Sequence, residues 1–197
     1  MPGKQKPMKK CPVCGSKKIV PVETGKQMKI DDGAINNIPN QAGDSSFYAL
    51  RWFCHNCGNA VGTPPYIRTS RGLEDHRDNV SRISIREEGI YPNYGEIRLA
   101  QKDLGAELEL IGDKQHPSVY LRRNIPEKKW RDLLDRMFRE FYLHEWRQSP
   151  MDPHSPTDEM WELELVMTHG RRIYCYGWAT RPPYWKELVR LFKPYFV

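Results

Sequence analysis

Two cysteine pairs of the form C-x-x-C constrain this chain more than any other feature: Cys11 with Cys14 in "KKCPVCGSKK", and Cys54 with Cys57 in "RWFCHNCGNAVG". Two ligands on one tight turn need this short spacing to reach a single ion. Four thiolates suit Zn²⁺, which takes them as a tetrahedron about 2.3 Å from each sulfur. Gly15 and Gly58 follow the second cysteine of each pair, where the turn needs a positive φ that glycine adopts at little steric cost. The set therefore predicts Zn²⁺ held by Cys11, Cys14, Cys54 and Cys57. Four cysteines close the shell, whereas a catalytic zinc keeps a position open for water, so the predicted role is structural. His55 lies inside the second pair and could replace a cysteine, but it has no vacancy to fill. Five cysteines in all, four of them in C-x-x-C pairs, match metal usage rather than the even framework of a secreted disulfide scaffold.

Between the pairs, "KKIVPVE" and "FYALRWFC" read as strands. "DDGAINNIPNQAGDSS", Asp31 to Ser46, reads as a loop, either a functional excursion or a tolerated insertion. The arrangement resembles small bacterial zinc-ribbon proteins that carry C-P-x-C-G-S, a hydrophobic strand and a glycine, then W-x-C-x-x-C-G. "CPVCGSKKIVPVETG" and Trp52, Cys54, Cys57 and Gly58 carry the match, which covers Cys11 to Gly62. The resemblance implies a zinc ribbon. It implies no single function, because such ribbons serve nucleic-acid binding, protein docking and purely structural roles.

Charge is uneven along the chain. Residues 1 to 30 hold eight lysines against Glu23 alone, while the whole chain carries +6, so the remainder is slightly acidic. A basic start of this kind suits an acidic partner such as nucleic acid, or serves as a solubilising tail. No apolar run is long enough to span a bilayer, and "MPGKQKPMKK" has no apolar segment behind its charges, so neither an anchor nor a secretory signal is read there. A cytoplasmic protein is expected.

The chain divides into a zinc ribbon with a basic segment (1–63), a polar, turn-rich linker (64–79) and an α+β domain (80–197). In the last, "SRISIRE", "GEIRLAQ", "AELELIG" and "SVYLRRN" alternate apolar and polar residues at period two, as strands with one buried face do. "PEKKWRDLLDRMFREFYLHEWR" spaces Trp130, Leu133, Leu134, Met137, Phe138, Phe141 and Tyr142 as one helix face, with Arg131–Asp135 and Asp132–Arg136 as i,i+4 pairs on the other. "MWELELVMTHGRRIYCYGW" reads as a hairpin turning at His169 and Gly170, and "PPYWKELVRLFKPYF" as a closing helix. The fold class expected is α+β with antiparallel pairing. The ending is similar to a module of other bacterial proteins in which the glycine-to-proline segment is usually G-x-N-x-x-P. Here "GWATRP" lacks the asparagine, and the likeness implies no activity.

Glu107 with Glu109, and Glu162 with Glu164, lie two apart on strands and so share a face. They could bind Mg²⁺ in a metal-dependent nuclease, or pair across the sheet with Arg82, Arg86, Arg98 and Arg122. The second reading is adopted, since no lysine follows them at the spacing common in such nucleases. Cys175 falls on the opposite face from Tyr174 and Tyr176 and reads as a small buried residue. No phosphate loop, nucleophile elbow or H-E-x-x-H occurs, so neither an enzyme nor a small-molecule substrate is expected. The leading expectation is a non-catalytic binding protein engaging nucleic acid or a nucleoprotein complex. Lys9, Lys10, Lys17, Lys18 and Arg51 would contact phosphates, and Trp52 and Tyr48 would stack on bases or, for Trp52, pack inside the ribbon. The rival is a protein-docking adaptor or inhibitor, of a kind suited to a phage or mobile element, presenting Tyr174, Tyr176, Trp178 and Tyr184.

Overall fold

The computed structural model describes residues 8–22, 51–62, 66–69, 72–146, 160–178 and 180–196. The Asp31 to Ser46 loop and Tyr48 lie outside the described residues, as does the side chain of Arg51. Strands β1 (Ile19–Val22), β2 (Arg51–Cys54) and β3 (Ala60–Val61) form a small antiparallel sheet in that order.

The stretch expected to be a linker holds regular structure. Strands β4 (Tyr66–Thr69) and β5 (Gly72–Asp75) pair as a hairpin, and α1 (His76–Asn79) follows. Asp75 starts that turn by accepting the Arg77 backbone N–H on its side chain at 2.9 Å, the usual service of an N-capping aspartate. The polar composition that suggested a linker supplied that cap.

Strands β6 (Val80–Tyr91), β7 (Tyr94–Lys102), β8 (Gly105–Gly112) and β9 (Tyr120–Pro126) lead into helix α2 (Glu127–Asp135). Strands β10 (Met160–Met167) and β11 (Arg172–Trp178) then form the expected hairpin, and α3 (Trp185–Arg190) closes the chain. The six strands make one antiparallel sheet in the order β11-β10-β6-β7-β8-β9. Period-two alternation gives it two unlike faces. Ile83, Ile85, Ile97, Leu99, Leu108 and Leu163 are fully buried on one, against Trp130, Leu134, Phe138, Trp185 and Phe192 of the helical layer. The fold is α+β, with helices on one side of an antiparallel sheet.

Two departures from the expected long helix matter later. After α2 the backbone widens into a π-helical turn, Arg136–Glu140, with the Phe141 N–H bonded to the Arg136 carbonyl at 3.0 Å. Tyr142 then adopts φ 54 and ψ 46, which ends the helix. That left-handed conformation costs a non-glycine residue about 1–2 kcal/mol, and burial of the Tyr142 ring offsets it. The surface pairs also differ from those expected. Arg131 reaches Asp78 of α1 at 2.5 Å, Asp135 binds Arg77 and Arg139, and Arg136 binds Glu140 at 3.7 Å. Helix α1 lies beside α2 and supplies closer partners than the next turn does. Among the described residues no helix is long and apolar enough to cross a membrane.

Candidate metal centre

Each C-x-x-C pair sits on a hydrogen-bonded turn. The Gly15 N–H donates to the Cys11 carbonyl at 2.9 Å and the Gly58 N–H to the Cys54 carbonyl at 2.9 Å, with φ of +75° and +68° at the two glycines. The positive φ read from sequence is present at both. Strand β2 carries Cys54 at its end, opposite Ile19 of β1, and the His55 N–H donates to the Lys18 carbonyl at 2.9 Å. These bonds fix the second turn against the first.

The four sulfurs converge. Cys11 and Cys57 Sγ are 3.8 Å apart, Cys14 and Cys54 Sγ 3.5 Å, and all four lie within 4.8 Å of one another. Sulfurs placed about 2.3 Å from a central ion in a tetrahedron sit about 3.8 Å apart, so the set is spaced to hold a metal ion. Burial pushes the Cys11 thiol up to about 12 and raises that of Cys14. At Cys57 burial also raises the thiol, but hydrogen bonds with the Asn59 side chain and backbone and with Cys14 and Cys54 together outweigh it and bring it down to about 7. A cation among the sulfurs would offset the burial that the first two feel. His55 points away, its ring edge-on to Phe53 at 5.4 Å and exposed.

The centre is docked on the rest of the molecule. Tyr142 packs with Met8, Cys11, Cys54 and Val61 in one buried cluster. The Gly62 N–H donates to Glu145 Oε2 at 3.0 Å. Lys10 reaches the C-terminal segment: its Nζ binds Glu187 Oε1 at 2.7 Å and the Pro183 carbonyl, and it lies 4.5 Å above the Tyr184 ring. Tyr184, 5% exposed, also stacks on Phe141 at 5.7 Å, and burial raises its hydroxyl to about 12. One further buried contact holds this segment. The Glu87 carboxylate, inward on β6, accepts the Trp185 Nε1–H at 2.6 Å and pairs with Arg181.

Several expected site residues therefore need correcting. Lys10 and Tyr184 were assigned to two external surfaces, yet they bind each other, with Tyr184 buried and Lys10 half-buried. Lys9, Lys17 and Lys18 are exposed beside the first cysteine turn. Trp52 packs over Gly62 with its Nε1 buried, in line with the packing alternative. Tyr174 is exposed, Tyr176 and Trp178 are half-buried, and the three rings follow one another along β11 at 5.5 and 5.4 Å. Cys175 is buried on the opposite face, its thiol raised to about 11 by burial and donating to the Trp146 carbonyl.

The glutamate pairs meet the arginines named from sequence: Glu164 with Arg82 at 3.3 Å, Glu162 with Arg86 at 3.2 Å, Glu109 with Arg98 at 3.5 Å and Glu107 with Arg122 at 2.5 Å. Sequence reasoning missed the dock residues Glu145, Pro183 and Glu187 altogether. No local signal marks them, since each acts on a turn far away in the chain. No protein-family model, curated protein or solved structure matches this chain.

Proposed function

We propose that the chain is a non-catalytic binding protein in which a Zn²⁺ ribbon, closed by Cys11, Cys14, Cys54 and Cys57, presents basic residues to nucleic acid or a nucleoprotein complex. The observation that supports this reading is the exposure of Lys9, Lys17 and Lys18 around a metal site with no open ligand position. Lysines on a rigid turn bind phosphates without reading sequence, and the affinity then falls steeply with salt. A cytoplasmic setting suits it, because thiols stay reduced there.

The test is fluorescence anisotropy of the full chain with labelled DNA and RNA across a salt series. Replacing Lys9, Lys17 and Lys18 together by glutamine should lower the slope of log affinity against log salt by about 2 to 3, as three lost phosphate contacts require. Absence of binding near 50 mM salt, or binding indifferent to salt, rejects the reading. Metal analysis of the purified protein decides whether the bound ion is zinc.

The rival, a protein-docking adaptor or inhibitor, draws on Tyr174, Tyr176 and Trp178 along the edge strand β11. Tyr184 no longer contributes to it. Partners that survive nuclease treatment in a pull-down would favour it. Ion pairs from Glu107, Glu109, Glu162 and Glu164 to basic partners favour the cross-sheet pairing over the nuclease reading, which an assay with Mg²⁺ and a Glu162→Ala variant tests.

A further inference from the structure

The charged face of the large sheet is ordered in rows that the strand register fixes. One row runs Tyr174, Glu164, Ser84, Arg98, Glu109, Arg122, and the next runs Tyr176, Glu162, Arg86, Glu96, Ile111, Tyr120. Acids and bases alternate across strands, but not at equal height. The paired glutamate side chains of this face are 13% to 23% exposed, while their partners, Arg82, Arg86, Arg98, Lys102, Arg122 and Arg172, are 36% to 67% exposed. The carboxylates form a lower layer that holds the cationic groups up toward solvent. A nearly balanced set of charges thus presents a positive outer layer.

Each outermost strand adds an exposed tyrosine to this face. Tyr120, 54% exposed, donates to Glu109 Oε1 at 2.6 Å; Tyr174, 46% exposed, stands beside Glu162. Tethering at the hydroxyl orders the Tyr120 ring before anything binds, which reduces the entropy a ligand must overcome. Strands β11 and β9 are five spacings apart, about 24 Å at about 4.8 Å each. Beside Tyr174 lies a polar depression lined by Ser84, Arg86, Glu162 and Glu164.

We propose that this sheet face binds single-stranded nucleic acid, with bases stacked on Tyr174 and Tyr120 and phosphates drawn to the raised arginines. The inference rests on the nucleic-acid reading above and transfers the discriminating contacts from the lysines to the sheet. Its occupant follows from charge and ring geometry together. A raised cationic layer selects a polyanion, and a ring face can be stacked only by a base that is not paired in a duplex. Glu162 and Glu164 add acceptors for exocyclic amino groups of a base seated in the depression.

The test is anisotropy of the full chain at about 50 mM salt with a labelled oligothymidylate and a labelled mixed-sequence DNA duplex. The expected result is single-strand binding at least about tenfold tighter than duplex binding. Tyr174→Ala and Tyr120→Ala should each weaken single-strand binding about five- to twentyfold, within the range of a lost stacking contact, and leave duplex binding unchanged. Tyr174→Phe, which keeps the ring, should bind nearly as the parent does. Equal affinity for duplex, single-strand binding indifferent to both alanine changes, or a phenylalanine variant as weak as the alanine one overturns the proposal. If the lysine triple variant still loses affinity in that event, the lysine reading stands without the sheet, and the β11 aromatics pass to the protein-docking reading. If only the tyrosine variants lose affinity, the sheet stands without the lysines. Failure of the parent to bind either oligonucleotide overturns both.

Discussion

Tyr184 and Lys10 hold each other by two main-chain hydrogen bonds: the tyrosine Oη donates to the Lys10 carbonyl at 2.8 Å and accepts the Lys10 N–H at 3.3 Å. One phenol thereby satisfies both polar groups of the residue just before Cys11, the first cysteine of the candidate metal centre. The cysteine unit and the C-terminal helix are one mechanical piece.

Replacing Tyr184 by phenylalanine keeps the stack on Phe141 and removes only the oxygen. Two main-chain groups lose their partner. Stability should fall by about 1–3 kcal/mol, seen as a lower denaturation midpoint in guanidinium with an unchanged slope.

Metal removal should be felt well beyond the cysteines. Metal binding at a four-thiolate site contributes roughly 10–16 kcal/mol of apparent free energy to folding, so chelation should unfold the small sheet. Because Tyr142 and Tyr184 pack on that unit, hydrogen exchange should also accelerate across residues 183–187 while β6 to β8 stay protected. Exchange mass spectrometry with and without chelator reads both regions. Unchanged protection at residues 183–187 would contradict the mechanical coupling.

Gly62 and Gly58 make a controlled pair. Both have positive φ, +79° and +68°, but a Cβ at Gly62 would lie 2.7 Å from Trp52 Cδ1 and 2.9 Å from Met8 Cε, whereas at Gly58 it would meet open space. Gly58→Ala should cost about 1–2 kcal/mol from backbone conformation alone. Gly62→Ala adds a clash and should cost about 1–3 kcal/mol more. The difference in chemical denaturation checks it.

Acid should weaken the fold before the carboxylates titrate. His76, 6% exposed and stacked on Phe138 at 5.8 Å, has its pKa lowered from 6.5 to about 4 by burial, then by the charges of His144, Arg171 and His169 against the opposing pull of Asp75. Below pH 6.5 the unfolded chain takes up a proton there that the folded chain refuses. Stability from this group is therefore complete above about pH 7 and declines as pH falls toward 4, by about 3 kcal/mol in all. Denaturation midpoints between pH 7.5 and 5 should show the slope, and His76→Phe should flatten it.

The parts that sequence made legible are local or periodic. Two cysteines and a glycine on one turn state their geometry within five residues. Alternation along β6 to β10 sets which side chains share a face, and that sufficed to pair Glu162 with Arg86 and Glu107 with Arg122. What stayed hidden was set by docking between distant elements. The apolar periodicity of α2 runs straight through Phe141 and Tyr142, yet the backbone leaves the helix there because Tyr142 is needed against Cys11 and Cys54. Tyr184 likewise carries the same letter whether it faces solvent or a lysine from the other end of the chain. The alternation along β11 was enough to turn Tyr174 outward and Cys175 inward, because both belong to one strand.

Tyr184 follows Lys10 by 174 positions, and that separation gives the molecule a history. At synthesis rates of about 5–20 residues per second, roughly 10 to 35 seconds pass between the emergence of the first cysteine turn and that of its dock. All four thiols are out of the ribosome well before then, so the nascent chain can bring the four sulfurs together while Met8 and Val61 are still uncovered. The segment that shelters the first cysteine turn is thus made long after the turn itself.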